Sequence, residues 1–467
     1  MKLSAKGPHF NMEAALPSRQ LNRLLDRNWL ITLVVAVFGL GLGAVVAFNP
    51  RIGLGVSVLP ILAFLVLPNP KLGLYMIAAW LPFESLASLN SDFSSFKLIG
   101  VVAFFSWFIR LARTRQVFIN PRNKAGLVLM LFLAVSALSI TQAQYPAVGV
   151  DRLITMIQLV VLYFMVVDLT HDEATFKNTL LILTLAGIPA ALIGVFQFIL
   201  GGANRAIGVS MDPNYSALNI LILIPLAFAF VNGNQGNKRS LYWTVFFLLL
   251  IGTLANLSRG AMVAVVVMFF FLSRNGFVEP LLKKRLRILF FVVTLSGVFL
   301  ALLDPRFSLS SILVSGGSGR LDIWQTAWRI WLDHPVLGVG IQNYKFAFYK
   351  YASYMPWINL GNVKAMVAHN TYIETAVETG IIGLAAFVGL LGLSLLELSR
   401  ARWAYAGLLK QDLAVDCSML MIGIIGFLVA GFFLSTMPQK ALWFLLGLAA
   451  SRSQTGSSLT TQVAAST

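Results

Sequence analysis

"NTLLILTLAGIPAALIGVFQFIL", residues 178–200, carries no charged side chain. A helix of about 20 such residues is what the hydrocarbon core of a bilayer requires. Comparable runs recur along the chain, which is 58% apolar and 11% charged over 467 residues. A soluble domain of that size has no interior large enough for so much apolar surface. Period-2 alternation is absent, so the spans read as helices and not as barrel strands. The expectation is an all-α, polytopic transmembrane bundle of about 12–14 helices. Its parts read as a tail (1–28), transmembrane helices (29–303), a large loop containing an amphipathic helix (304–370), further transmembrane helices (371–450), and a disordered tail (451–467). The first apolar stretch, near 29–48, is too long for a signal peptide, lacks a small-residue cleavage site and is followed by more spans, so it reads as an uncleaved helix. Cys417 is the single cysteine, which excludes a disulfide framework and a zinc cluster.

The net charge of +17 invites a nucleic-acid partner, but the positions of the charges argue against one. Basic residues gather at Arg19–Arg27, Arg110–Lys124, Lys238–Arg239, Lys283–Arg287 and Arg400–Lys410. Placing every cluster in the cytoplasm satisfies the positive-inside rule and puts both termini there. The partner implied by this basicity is the lipid bilayer, not nucleic acid.

That topology leaves residues 304–370 outside, and a loop of this length usually has a function. From Arg320 to Asp333, the residues Leu321, Trp324, Trp328, Trp331 and Leu332 fall on one helical stripe. The stripe suits either a helix lying on the bilayer surface or one packed on the spans below. The aromatic residues from Tyr344 to Trp357 suit either headgroup anchoring or stacking on sugars. Arg205, Arg259 and Arg320 all fall outside. An arginine at the bilayer edge either snorkels or pairs with an anion, so the three together read as a phosphate clamp beside a lipid headgroup. His369 sits at the outer mouth of a span, where a neutral imidazole accepts a proton from a hydroxyl. No carboxylate or cysteine cluster accompanies it, so no metal is expected. Asn370, Glu374 and Glu378 follow at i, i+4, i+8 along the same helix, as a supporting shell whose expected partners are the arginines or Lys440. Gly380 and Gly383 are expected to allow close helix packing.

These residues resemble the O-antigen ligase and polymerase superfamily. The pattern is His-Asn, nine residues, Gly-x-x-Gly: His369, Asn370, Gly380 and Gly383. "DPNYSA" (212–217), "SRG" (258–260) and "GRLDIWQTAWRIWLDHPVLGVGIQNY" (319–344) resemble it in the same order, over roughly 200–400. The resemblance implies a C-class (GT-C-like) glycosyltransferase of the bacterial inner membrane, with its active site on the extracytoplasmic, periplasmic side. It implies an undecaprenyl-pyrophosphate-linked glycan as donor, a lipid core or a second glycan as acceptor, and no cofactor. It further implies that Arg259 and Arg320 bind the pyrophosphate and that His369 is the base. Ligases commonly carry Arg-x-x-x-Leu in the loop, and here Trp324 stands four residues after Arg320. Some relatives are thought to move inorganic carbon, so a transporter is the alternative reading. A transporter would call for paired broken helices and midplane polar residues, and no internal repeat is evident.

Overall fold

The structure is a computed structural model that describes residues 62–88, 95–120, 123–200, 206–210, 212–303, 316–352 and 367–466. The first expected span, the N-terminal tail, Arg205, Tyr354 and Trp357 lie outside these residues. The chain divides into a unit of residues 1–65 and a unit of residues 66–467. In the first, residues 62–65 are helical. The second carries fifteen α-helices and no strand among the described residues. In chain order they are α1 (Pro70–Trp80), α2 (Ser95–Thr114), α3 (Lys124–Ser139), α4 (Pro146–Leu169), α5 (Glu173–Leu200), α6 (Pro213–Leu221), α7 (Leu223–Gly233), α8 (Gly236–Ala255), α9 (Arg259–Arg274), α10 (Pro280–Leu303), α11 (Gly316–Asp333), α12 (Tyr344–Ala352), α13 (Thr371–Gly407), α14 (Gln411–Ala430) and α15 (Lys440–Ser466). Seven helical stretches among them are long and apolar enough to cross a bilayer. The chain is a multi-pass membrane protein.

Local chemistry sets the helix starts. Proline at the first helical position opens α1, α4 and α6, where the missing N–H has no helical acceptor to lose. Asn69 and Asp212 cap α1 and α6 with their side-chain oxygens. The candidate span Pro213–Gly233 is built of two helices, α6 and α7, meeting at Ile222. Pro225 explains the break, because it offers no N–H to the Leu221 carbonyl and crowds it.

The bundle has a basic end. There Asp168 is fully buried, takes Trp107 Nε1 at 2.7 Å and lies 3.0 Å from Arg110. Lys177 pairs with Glu173 at 2.9 Å nearby in sequence. Arg452 is 1% exposed and donates to the carbonyls of Thr170 and His171. That contact corrects the expectation of a disordered tail after residue 450: α15 continues to Ser466, its next turn anchored by Arg452. Asp168 and Arg110 therefore mark one end of α4, and Arg152 marks the other.

The largest departure from straight helices lies in α13. Gly380 has φ +66° and ψ −170°, breaking the helix after Thr379. The freed Val377 and Glu378 carbonyls accept from Val339 N (2.9 Å) and Gly340 N (3.0 Å), and Pro335 accepts from Ile381 N (2.8 Å). The segment 335–340 thus threads into the break, satisfying backbone groups that would otherwise be stranded. A Cβ on Gly380 would lie 2.0 Å from the Val336 carbonyl oxygen. The expected role of Gly380 in packing two continuous helices is replaced by this break.

Candidate active site

The end of the bundle away from Asp168 gathers the sequence motifs. Asn370 caps α13, accepting from Tyr372 N (3.0 Å) and Ile373 N (3.1 Å), and His369 stands just outside the cap. His369 has φ +48°, a left-handed conformation uncommon for a residue with a Cβ. The turn is held on both sides. Thr371 N donates to the Gly431 carbonyl at 2.8 Å, and Thr371 Oγ1 to the Leu434 carbonyl at 2.7 Å. On the other side, the Ala368 carbonyl accepts Trp324 Nε1 at 3.0 Å. That bond ties α11, and with it Arg320 one turn earlier, directly to the residue before His369. A leucine at position 324 makes no such bond.

Arg259 arrives from a different element. Ser258 caps α9, accepting from Ala261 N, and donates to Asn214 Oδ1 at 2.8 Å. Asn214 follows Asp212, whose side chain takes the N–H groups of Asn214 and Tyr215. Tyr215 donates to the Ser435 carbonyl at 2.9 Å, and Ser435 donates to Glu374. Glu374 also accepts Ala368 N at 3.1 Å. One hydrogen-bonded web therefore joins the Arg259 turn, the Asp212 cap, the 435 loop and the His369 turn. Arg259 sits in the first turn of α9, where the helix dipole disfavours a cation and favours an anion.

Arg320 feels the positive charge of Arg259 and the negative charge of Asp212. Burial, then Arg259, lowers its pKa from the ordinary guanidinium value. His369 feels Arg320 and Asp212, and its pKa is lowered from the ordinary imidazole value by burial first and by Arg320 second. The imidazole is thus held neutral, the state that accepts a proton. A pH consequence follows. The neutral imidazole is present above its folded pKa, which lies below the ordinary value of about 6.5, so a reaction that uses it as a proton acceptor should have its acid limb below that value. The same shift makes His369's contribution to stability present above about pH 6.5 and lost as pH falls through the folded value. A kcat/KM profile from pH 5 to 8 checks this, and an acid limb centred at or above 6.5 contradicts it.

Other site residues differ from expectation. Glu374 pairs with Ser435 and Ala368, not with the arginines. Glu378 is buried and accepts Tyr344 N at 3.4 Å, holding the start of α12. Lys440 is 2.6 Å from Glu84 instead. On α11 the buried stripe is Ile323, Ala327 and Ile330, packed with Tyr344, Phe348, Ala368 and Val377. Leu321, Trp328 and Leu332 face outward, whereas Trp324 and Trp331 pack against this core, so the expected stripe divides between two faces. Tyr344 and Phe348 belong to this small core and are neither headgroup anchors nor a sugar platform. Arg152 was not evident from sequence. It lies within charge–charge range of Glu374, Glu378 and Tyr215, and its Nε is buried without a hydrogen-bond partner. Its signal in "AVGVDRLITM" (147–156) was a charged pair at the head of an apolar run.

Residues 244–388 match the family model described as O-antigen ligase, a region that contains Arg259, Arg320, His369, Asn370, Glu374 and Glu378. A search of curated proteins finds no match. Over residues 244–388 the chain is similar to the O-antigen ligase family.

Proposed function

We propose that the protein transfers a glycan from undecaprenyl pyrophosphate to an acceptor hydroxyl, on the extracytoplasmic face of the bacterial plasma membrane. The observation that carries this reading is the hydrogen-bonded web that joins the Arg259 turn to the His369 turn, with Arg320 tied to the same turn through Trp324. His369 takes the proton of the acceptor hydroxyl as its oxygen attacks the anomeric carbon. The bond from that carbon to the pyrophosphate oxygen breaks, and the leaving pyrophosphate gathers negative charge. Arg259, in the first turn of a helix, and Arg320 stabilise that charge. Asn370, Glu374 and Glu378 hold the His369 turn and the loop beneath it and do not touch the reacting atoms. Arg205 enters on its sequence position alone. The acceptor is a lipid core or another glycan chain.

Removing a preorganised donor of this kind lowers kcat by about 10²–10³. Arg259→Ala and Arg320→Ala should each fall in that range, and Lys at either position should recover only part, because an ammonium lacks the two-pronged guanidinium fork. Measured kcat for glycan transfer checks this, and a full rescue by lysine would argue for simple surface charge. Direct displacement also inverts the anomeric centre. NMR of the product linkage tests the one-step route, and retention of the donor configuration overturns it.

A further inference from the structure

We propose that the outward face of the α9–α10 hairpin holds an anionic phospholipid, with its phosphate on Lys284, Arg285 and Arg287 and its chains along the apolar residues that follow. Leu282 and Leu286 of α10 are buried, whereas Lys284, Arg285 and Arg287 are exposed. From Ile288 to Leu303 the helix carries no charged residue. On its outward side Ile288, Phe291, Val292, Leu295 and Phe299 are each more than half exposed. Lys284, Ile288, Phe291, Leu295 and Phe299 recur every three or four residues, so a single face runs from cation to hydrocarbon. At about 1.5 Å per residue its apolar part is roughly 16 Å long, about half of a ~30 Å hydrocarbon core.

The charge at the head of this face has no counterpart nearby. Among the described residues, none of Arg274, Lys284, Arg285 and Arg287 lies within ion-pair range of a carboxylate. Glu279, which precedes α10, is held by Arg239 at 2.8 Å. α9 packs along α10, contains no acidic residue and ends in the exposed Arg274. The turn between the two helices is met by α13 through Trp403, packed on Phe277, and through Arg402, 5.8 Å over the same ring. α9 and α13 thus each add a cation here. Tyr405, two residues beyond Trp403, donates to the Arg452 carbonyl, so this is the basic end of the bundle.

Cations in the first turns of α10 also oppose its dipole, which makes an anion at this place favourable on a second count. Two guanidiniums and an ammonium match a phosphate, the guanidiniums with two parallel N–H groups each. An acidic protein segment would satisfy the charge but leave the apolar stretch below it uncovered. A phospholipid with a net negative headgroup satisfies both, and a basic cluster at the end of a membrane helix is where such headgroups collect.

Native mass spectrometry of the purified full chain in detergent, titrated with phosphatidylglycerol or phosphatidylcholine, tests this. The wild type should bind phosphatidylglycerol the more tightly of the two. Lys284→Gln with Arg287→Gln should weaken that binding about tenfold or more and leave phosphatidylcholine unaffected. Arg113→Gln with Arg115→Gln removes the same charge from another exposed stretch and should change neither. All four side chains are exposed, so the fold is expected to survive both pairs. A phosphatidylglycerol with a photoreactive acyl chain should label α10 between Ile288 and Phe299. Equal affinity for the two lipids, equal loss from the two variant pairs, or labels confined to other helices each overturn the proposal. So does a dimer in the same spectra that is lost with Lys284→Gln and Arg287→Gln while lipid binding is kept, since the occupant is then a second copy. None of these readouts uses glycan transfer, so they stand apart from the function proposed above.

Discussion

His369→Ala should lower the rate of glycan transfer by about 10²–10⁴, the usual contribution of a positioned general base, with donor binding unchanged. In the proposed mechanism the donor is held by Arg259 and Arg320, while the imidazole acts on the acceptor hydroxyl. His369→Gln should be almost as slow, since an amide fills the space but takes no proton. The variant is expected to fold. The turn is fixed by Asn370 as helix cap, Thr371 on the 431–434 segment and Trp324 on Ala368, all of which remain. Relieving a residue with φ +48° of its bulk costs little, and glycine at 369 would if anything relax the backbone. Transfer and donor affinity measured on the same preparations separate the two roles. A fall in affinity with kcat preserved would move His369 from base to binding residue.

Gly380→Val should be the most destabilising substitution outside the reacting groups, by about 3–5 kcal/mol. Valine is strongly disfavoured at φ +66°, and its Cβ would stand 2.0 Å from the Val336 carbonyl oxygen. The clash cannot be relieved by rotating a side chain, because the facing atoms are backbone. The segment 335–340 would have to leave the break in α13, stranding the Val377 and Glu378 carbonyls. With it would go the support beneath α11 and α12. Gly392→Ala is the contrast. It lies further along the same helix, and a Cβ there meets no atom within 4 Å. Thermal unfolding in detergent should show a large fall in midpoint for Gly380→Val and little change for Gly392→Ala. Similar midpoints would mean that the break does not hold the loop.

Much of this architecture is legible in residue order. Uninterrupted apolar runs such as 178–200 announce spans, because hydrocarbon admits no other solution for the backbone. The candidate site is legible to a lesser degree, since His369, Arg259 and Arg320 are polar residues at the ends of greasy segments, where their presence is costly. What sequence does not reveal is partner choice. Opposite charge alone assigns Glu374 and Glu378 to the arginines or Lys440. Yet backbone N–H groups and a serine hydroxyl satisfy them at shorter range, and only three-dimensional threading brings residues 335–344 and 435 into place. Trp324, Trp328 and Trp331 read in sequence as one stripe, whereas the buried side of α11 centres on Ile323, Ala327 and Ile330, with Trp324 and Trp331 packed at its edge and Trp328 exposed. Arg152 escaped notice because its role depends on helices more than 200 residues apart in the chain. Gly380 signals nothing but flexibility until its φ is known. The tail looked too polar to fold, but Arg452 finds two carbonyls at the end of α4, and those contacts carry the helix on.

The central claim is that a bond is made at this site, not that a solute passes through it. The direct measurement reconstitutes the purified protein in vesicles with an undecaprenyl-pyrophosphate-linked glycan and an acceptor, without added metal, and follows both lipids by mass spectrometry. The account predicts acceptor gaining the mass of the glycan and undecaprenyl pyrophosphate released in equal amount, with neither product in the His369→Ala protein. Glycan or another solute appearing across the vesicle membrane with its lipid linkage intact, and no mass gained by the acceptor, would contradict it.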